Sequence, residues 1–384
     1  MKATRWVATL LLGAMPLLNG CAGFWDPPSS STTTTTTTTL SSGIFYVLNV
    51  ETAQIVAYYV SSGTLTQIAT YATPASPITL TVAPSNSYLY LSTSGGIYAY
   101  TISTSGTLTL ANISNVISTD TPYAMQVDST GSWLVEATSG IAELYAIPLS
   151  TSTGLPTSTT EQYVGLAGSS IQQLVISPDN THVFVAMGTG GTAIVPFTSS
   201  NSDPFGTVST IAVAGSSGAA LSVAVDPSDR LLYIGETDAT SGSNSGGLRV
   251  FKYGSFTELS GSPYASGGLA PYSILPISTG SYVYVANRQT ASGSTGLIEG
   301  YSVTSSSSTY ALTALGSTFS GNGTNTVALA EDSTDQFVFA VSVGGSYDLT
   351  GYVFDSTNAG YLDTVVESTT GTDPVQASAI AAVH

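Results

Sequence analysis

Cysteine occurs once in the 384 residues, at position 21. No intramolecular disulfide can form, so cross-linking is excluded as a source of stability. Cations are scarce as well: six Lys and Arg stand against 23 Asp and Glu, for a formal net charge of −17. Such a surface repels a phosphate backbone and excludes nucleic acid as a partner. Histidine occurs only at 182 and 384. Two distant histidines and one cysteine leave no His/Cys metal cluster, and no cofactor or metal is expected. No long run of 3.6-residue apolar period follows the first 18 residues. Short period-two segments broken by turn residues take its place, which argues for an all-β chain.

The first residues read as an address. Lys2 and Arg5 precede an apolar stretch from Trp6 to Leu18, too short to span a membrane and right for a secretory signal. It ends in Leu18-Asn19-Gly20-Cys21, which resembles a bacterial lipobox. The resemblance implies cleavage before Cys21, lipidation of its thiol, and a membrane partner through that anchor. Ala22 in place of Asp resembles outer-membrane sorting in diderm bacteria, so the expected location is the outer membrane of the cell envelope. Cleavage would leave Arg230, Arg249, Lys252 and Arg288 as the only basic side chains. Residues 29–43, dominated by serine and threonine, have too little apolar surface to fold and read as a tether. The expected division is a signal peptide over 1–20, a lipidated tether over 21–43 and one β domain over 44–384.

Seven related phrases organise that domain. They are Ile44-Phe45-Tyr46-Val47, Tyr88-Leu89-Tyr90-Leu91, Trp133-Leu134-Val135-Glu136 and His182-Val183-Phe184-Val185, then Leu231-Leu232-Tyr233-Ile234, Tyr282-Val283-Tyr284-Val285 and Phe337-Val338-Phe339-Ala340. Their third residues lie 44, 45, 49, 49, 51 and 55 apart. This is the spacing of four-stranded propeller blades. Before each phrase after the first comes an alternating inner strand and a turn, as in Pro77–Val82 followed by Ala83-Pro84-Ser85-Asn86. After it comes a third strand such as Ile97-Tyr98-Ala99-Tyr100, then an edge strand. The first phrase has no inner strand before it, and the strand after Asp373-Pro374 has no core strand after it. Joining the two predicts a seven-bladed β-propeller closed by the C-terminal strand, which removes the exposed sheet edges.

Tyr46-Val47-Leu48-Asn49 and Tyr284-Val285-Ala286-Asn287 resemble the Tyr-Val-x-Asn signature of YVTN-type propellers. With the Ser-x-x-Gly-x-Leu turn at Ser103–Leu108, the chain is similar over about residues 43–384 to the lactonase-type family that includes 6-phosphogluconolactonase-like proteins. That resemblance implies a channel mouth carrying His, Arg and Glu for an anionic lactone.

The inner strands supply the positions that would line such a mouth. Aligned on the turn, their second residues are Ile78, Tyr123, Gln172, Leu221, Tyr272, Val327 and Val375. Their third residues are Thr79, Ala124, Gln173, Ser222, Ser273, Ala328 and Gln376. None is ionisable, so the expected mouth is uncharged. Tyr123, Tyr272, Gln172 and Gln173 are the candidate ligand-binding residues, the tyrosines as stacking surfaces for a sugar or aromatic group. Glu136, Glu236 and Arg288 are the candidate catalytic residues, because each lies at or just past the end of a core strand. His182 opens a strand after a turn and reads as structural. The acidic turns around Asp226 and Glu331 lack a calcium-loop pattern and read as turn hydrogen bonding. The expected function is a monomeric, lipid-anchored binding module for an envelope protein or carbohydrate, without catalysis. The alternative is a hydrolase of a sugar lactone. Clustering of Glu136, Glu236 and Arg288 at one mouth would favour that alternative.

Overall fold

A computed structural model describes residues 43–111, 116–293, 296–306, 309–319, 323–367 and 373–383. The readings of the signal, the lipobox at Cys21 and the tether up to Ser42 lie outside these residues, as does His384. The described residues form seven antiparallel sheets and no helix. Each sheet has four strands, with a short fifth segment, Tyr264–Ala265, added to the fifth blade. Blade 1 is completed as expected: Ala377–Ala382 pairs antiparallel with Ile44–Asn49. The blades follow one another along the chain from there, with inner strands beginning at Pro77, Ala124, Gln173, Ala220, Pro271 and Thr326 in blades 2 to 7.

Stacking explains the apolar phrases. A core strand lies inside its sheet and is covered by a neighbouring blade on each face, so all six residues of Ile44–Asn49 are buried. Alternate side chains serve different neighbours. Ile44, Tyr46 and Leu48 pack against Leu89 and Leu91 of blade 2. Phe45 and Val47 pack against Phe339 and Val341 of blade 7. The Phe45 and Phe339 rings stack with centroids 4.2 Å apart across the seam that closes the ring. Burying one such ring contributes roughly 1.5–3 kcal/mol. Seven apolar clusters result, one at each blade interface.

The tyrosines of the repeat have a second use. Tyr46, Tyr90 and Tyr284 donate their hydroxyls to the carbonyls of Gly106 (3.0 Å), Gly154 (2.8 Å) and Gly360 (2.7 Å), each in a turn of the next blade. A buried phenol needs a partner, and these bonds supply it while tying blade to blade. The accepting glycines have φ of +79°, +65° and +83°. At Gly154 a Cβ would stand 2.4 Å from the Tyr88 ring, so both backbone and space require glycine there.

At the turn ends of the inner strands, further bonds link successive blades. Arg230 clamps Asp226 through Nε (2.7 Å) and Nη2 (2.5 Å) and donates on to the Gly280 carbonyl (2.7 Å). Glu331 accepts from the Ser278 amide (2.6 Å), and Asp332 from the Phe337 amide (2.7 Å). These acids are occupied in turn bonding, and no group suited to holding a metal ion occurs among the described residues.

Candidate functional site at the channel mouth

The inner strands line a central channel with two chambers. Met125, Leu174, Leu329 and Ile380 border both and form an apolar waist. The chamber at the turn ends has a volume of about 650 Å³ and includes Pro84, Pro178, Pro227 and Glu331. The opposite chamber, at the starts of the inner strands, has about 270 Å³ and holds all four candidate binding residues: Tyr123, Tyr272, Gln172 and Gln173.

A recurring backbone irregularity aims the side chains at this mouth. In five inner strands the pairing with the core strand skips one residue: Ile78, Leu221, Tyr272, Val327 or Ser378. Such bulges redirect a side chain at a sheet edge. In the closing strand the skipped residue is Ser378, so the expected channel positions Val375 and Gln376 are three residues too early. Gln376 instead has φ +52° and donates its amide to Asp348 (2.6 Å). The strand starts only at Ala377 because this left-handed residue intervenes.

Blades 3 and 6 face each other across the seven-fold ring, and their tyrosines meet over its axis. The hydroxyls of Tyr123 and Tyr272 lie 3.5 Å apart, a bar across the mouth between residues 149 positions apart in sequence. Arg288 completes the group. Its amide is tied to the Ala270 carbonyl (2.9 Å), and its guanidinium carbon stands 5.1 Å from the Tyr272 ring centroid, within cation–π range. The mouth is therefore not uncharged, as the inner strands alone implied. Its cation arrives from the end of a neighbouring core strand. Aligning the residues that follow the core strands (Val50, Ser94, Ser139, Gly188, Thr237, Arg288, Val343) would have singled it out as the one charged member.

The Tyr123 hydroxyl is a donor at neutral pH. Burial pushes the Tyr123 phenol up to about 12, and the hydrogen bond and charge of Tyr272 add to the rise, which Arg288 opposes. Gln172 donates its amide to the Ser170 carbonyl and hydroxyl (both 3.2 Å). Gln173 accepts from the Val223 amide (2.9 Å), which ties blade 4 to blade 5.

The two glutamates do not join this group. Glu136 lies on the same strand face as Leu134, which packs against Tyr90 and Ile97 of blade 2. It is 0% exposed, and neither carboxylate oxygen meets a hydrogen-bond donor in good geometry. Burial first, then the nearby Asp120 and Glu161, push its carboxyl up to about 8, against a smaller opposing effect of the Thr138 side chain. Glu236 is also fully buried but well partnered. It pairs with Arg249 (3.0 Å) and accepts from the Ala214 amide (2.8 Å), while Arg249 also holds Glu258 (2.7 Å). This network pins the loop that leads from blade 4 to blade 5. Both glutamates point between blades because a core strand is covered by a neighbouring blade on each face, so either strand face leads into an interface. Of the three catalytic candidates, Arg288 alone reaches the mouth. His182 is the strand-end residue expected, with Nδ1 3.1 Å from the Tyr253 hydroxyl.

Residues 35–219 match the family described as Lactonase, 7-bladed beta-propeller. The resemblance carried by the repeats agrees with this match: the chain is a seven-bladed propeller, similar to the lactonase family over those residues. Similar solved structures include a 6-phosphogluconolactonase candidate from Bacteroides fragilis, with a TM-score of 0.69 and 13% identity over 89% of this chain and 98% of that one. The periplasmic gluconolactonase PpgL of Pseudomonas aeruginosa is similar with a TM-score of 0.65 and 16% identity, over 88% and 98%. At such identities these likenesses speak to the fold. No curated protein sequence matches significantly. The expectation of a non-catalytic binding module is corrected by the family match, which spans blades 1 to 4 and favours the lactonase alternative.

Proposed function

We propose that this protein hydrolyses a sugar lactone at the mouth bounded by Tyr123, Tyr272 and Arg288. The observation that carries the reading is the match of residues 35–219 to the lactonase family. The mouth geometry supports it, since two phenol donors converge there beside a guanidinium. A sugar substrate accords with the gluconolactonase named among the similar folds.

Water adds to the lactone carbonyl carbon, and the carbonyl oxygen becomes an oxyanion. The Tyr123 and Tyr272 O–H groups stabilise that charge where it develops. The intermediate then expels the ring oxygen, which takes up one proton of the attacking water as the alcohol of the product, while the carbonyl carbon becomes a carboxylate and the water's other proton passes to solvent. No carboxylate borders the chamber among the described residues, so the assistance is electrophilic, and a lactone is activated enough for water to attack with that help.

Acid release from gluconic lactone tests the proposal. Wild-type protein is expected to exceed the spontaneous rate, and Tyr123→Phe/Tyr272→Phe to lower kcat by about 10²-fold, as loss of an oxyanion donor does. Equal rates with and without protein would refute it. We place this activity at the cell envelope on a lipid anchor at Cys21, motivated by the lipobox-like Leu18-Asn19-Gly20-Cys21. Cys21→Ser should then move the protein from the membrane to the soluble fraction, and unchanged membrane association would remove the anchor from the reading.

A further inference from the structure

The charge census singles out Arg288. Among the described cations, Arg230 is neutralised by Asp226 at 2.5 Å, and Arg249 by Glu236 and Glu258 at 3.0 and 2.7 Å. Lys252 sits opposite Leu231, at the other end of its strand pair from Glu236 and Gly247. Arg288 makes no ion pair among the described residues, although the chain carries 23 carboxylates. It is nevertheless held in place, by its backbone bond to Ala270 and by the Tyr272 ring beneath its guanidinium. Stacking on a ring uses the face of the guanidinium and leaves its N–H edge free, and that edge matches a carboxylate in a two-bond fork.

Size and charge narrow the ligand further. A chamber of about 270 Å³, barred across its axis by the two phenols, accepts a single sugar ring and not a longer chain. One guanidinium offsets one negative charge. A phosphate monoester carries close to two at neutral pH and would approach a protein of formal charge −17 with a single counter-charge to meet it.

We infer that the mouth selects a sugar lactone bearing one carboxylate, which Arg288 grips while the tyrosine pair addresses the lactone carbonyl. The inference rests on the lactonase reading for the reaction, though not for the binding. Arg288 thus acts as the specificity residue, and it disfavours both neutral and phosphorylated rings.

Two measurements on the full chain separate the possibilities. The first compares kcat/KM for glucaric and gluconic lactones of one ring size, with 6-phosphogluconolactone as a third substrate. The second measures binding of unreactive glucuronate against glucose by calorimetry. Wild-type protein should prefer the carboxylate-bearing member of each pair by about 10- to 100-fold, the range of a charge-assisted hydrogen bond. Arg288→Gln should bring both ratios close to one, and Arg288→Lys, which keeps the charge and loses the fork, should restore part of the preference. Thermal melts of both variants should match wild type, since the side chain is exposed. Equal turnover of the glucaric and gluconic lactones, or faster turnover of the phosphorylated one, overturns the inference and leaves the lactonase reading standing. Arg288-dependent glucuronate binding with no turnover of any lactone keeps the ligand class and overturns the reaction. Neither binding preference nor turnover overturns both.

Discussion

Replacing Glu136 by glutamine should flatten the pH dependence of stability. The folded protein holds this carboxyl at about 8, against an ordinary value of 4.5, chiefly because burial penalises its charge. Below pH 4.5 both folded and unfolded chains carry the proton, and the group is neutral in its effect on folding. As pH rises past 4.5 the unfolded chain loses the proton while the folded chain keeps it. Stability then falls by up to 1.36 kcal/mol per pH unit until the folded carboxyl itself ionises near pH 8. From pH 5 to pH 8 the accumulated loss is about 4 kcal/mol, an order-of-magnitude figure. Glutamine has the same shape and no proton to lose, and both carboxylate oxygens lack good partners already, so its amide forfeits no bond. Urea unfolding at half-unit steps from pH 5 to pH 8 gives the two curves. Glu136→Gln should gain on wild type steadily as pH rises. Parallel curves would show that Glu136 is hydrated or partnered in the folded protein, and the reasoning would fail.

Two further stability effects follow from the blade contacts. Tyr90→Phe removes the hydroxyl bonded to the Gly154 carbonyl and should cost about 1–3 kcal/mol in urea unfolding, since that bond is buried. A loss below about 0.5 kcal/mol would mean that the latch contributes little. Arg249→Met strips the counter-charge from Glu236, which is 0% exposed, and should cost about 3–5 kcal/mol near neutral pH. If the melting temperature of Arg249→Met were as little changed as that of Arg288→Gln, the buried pair would have no structural weight.

Much of the architecture was legible in the chain before any coordinates. The Ile44–Val47 and Tyr284–Asn287 phrases recur because a strand covered on both faces needs apolar groups at every position, and the interval between phrases is the length of a four-stranded blade. Closure through the C-terminal strand followed from a core strand without an inner one and an inner strand without a core one. Tyr123, Tyr272, Gln172 and Gln173 could be placed on the channel by position in the repeat alone, since inner strands must line the axis. The same counting failed at Val375 and Gln376, where a left-handed residue delays the strand and no local pattern announces it.

What the tertiary structure decided is which of these residues meet. Glu136, Glu236 and Arg288 share a strand-end address, yet one is sealed between blades 2 and 3 and one is spent on Arg249. The third leans over a tyrosine from the adjacent strand. The period of the sequence records distance along the chain, while blades 3 and 6 confront each other only because seven sheets close into a ring. The Tyr123–Tyr272 bar is a product of that closure, as is the unpaired guanidinium beside it. Strand order is a local property, set by alternation and turns. A site at the axis exists only when every blade is in place.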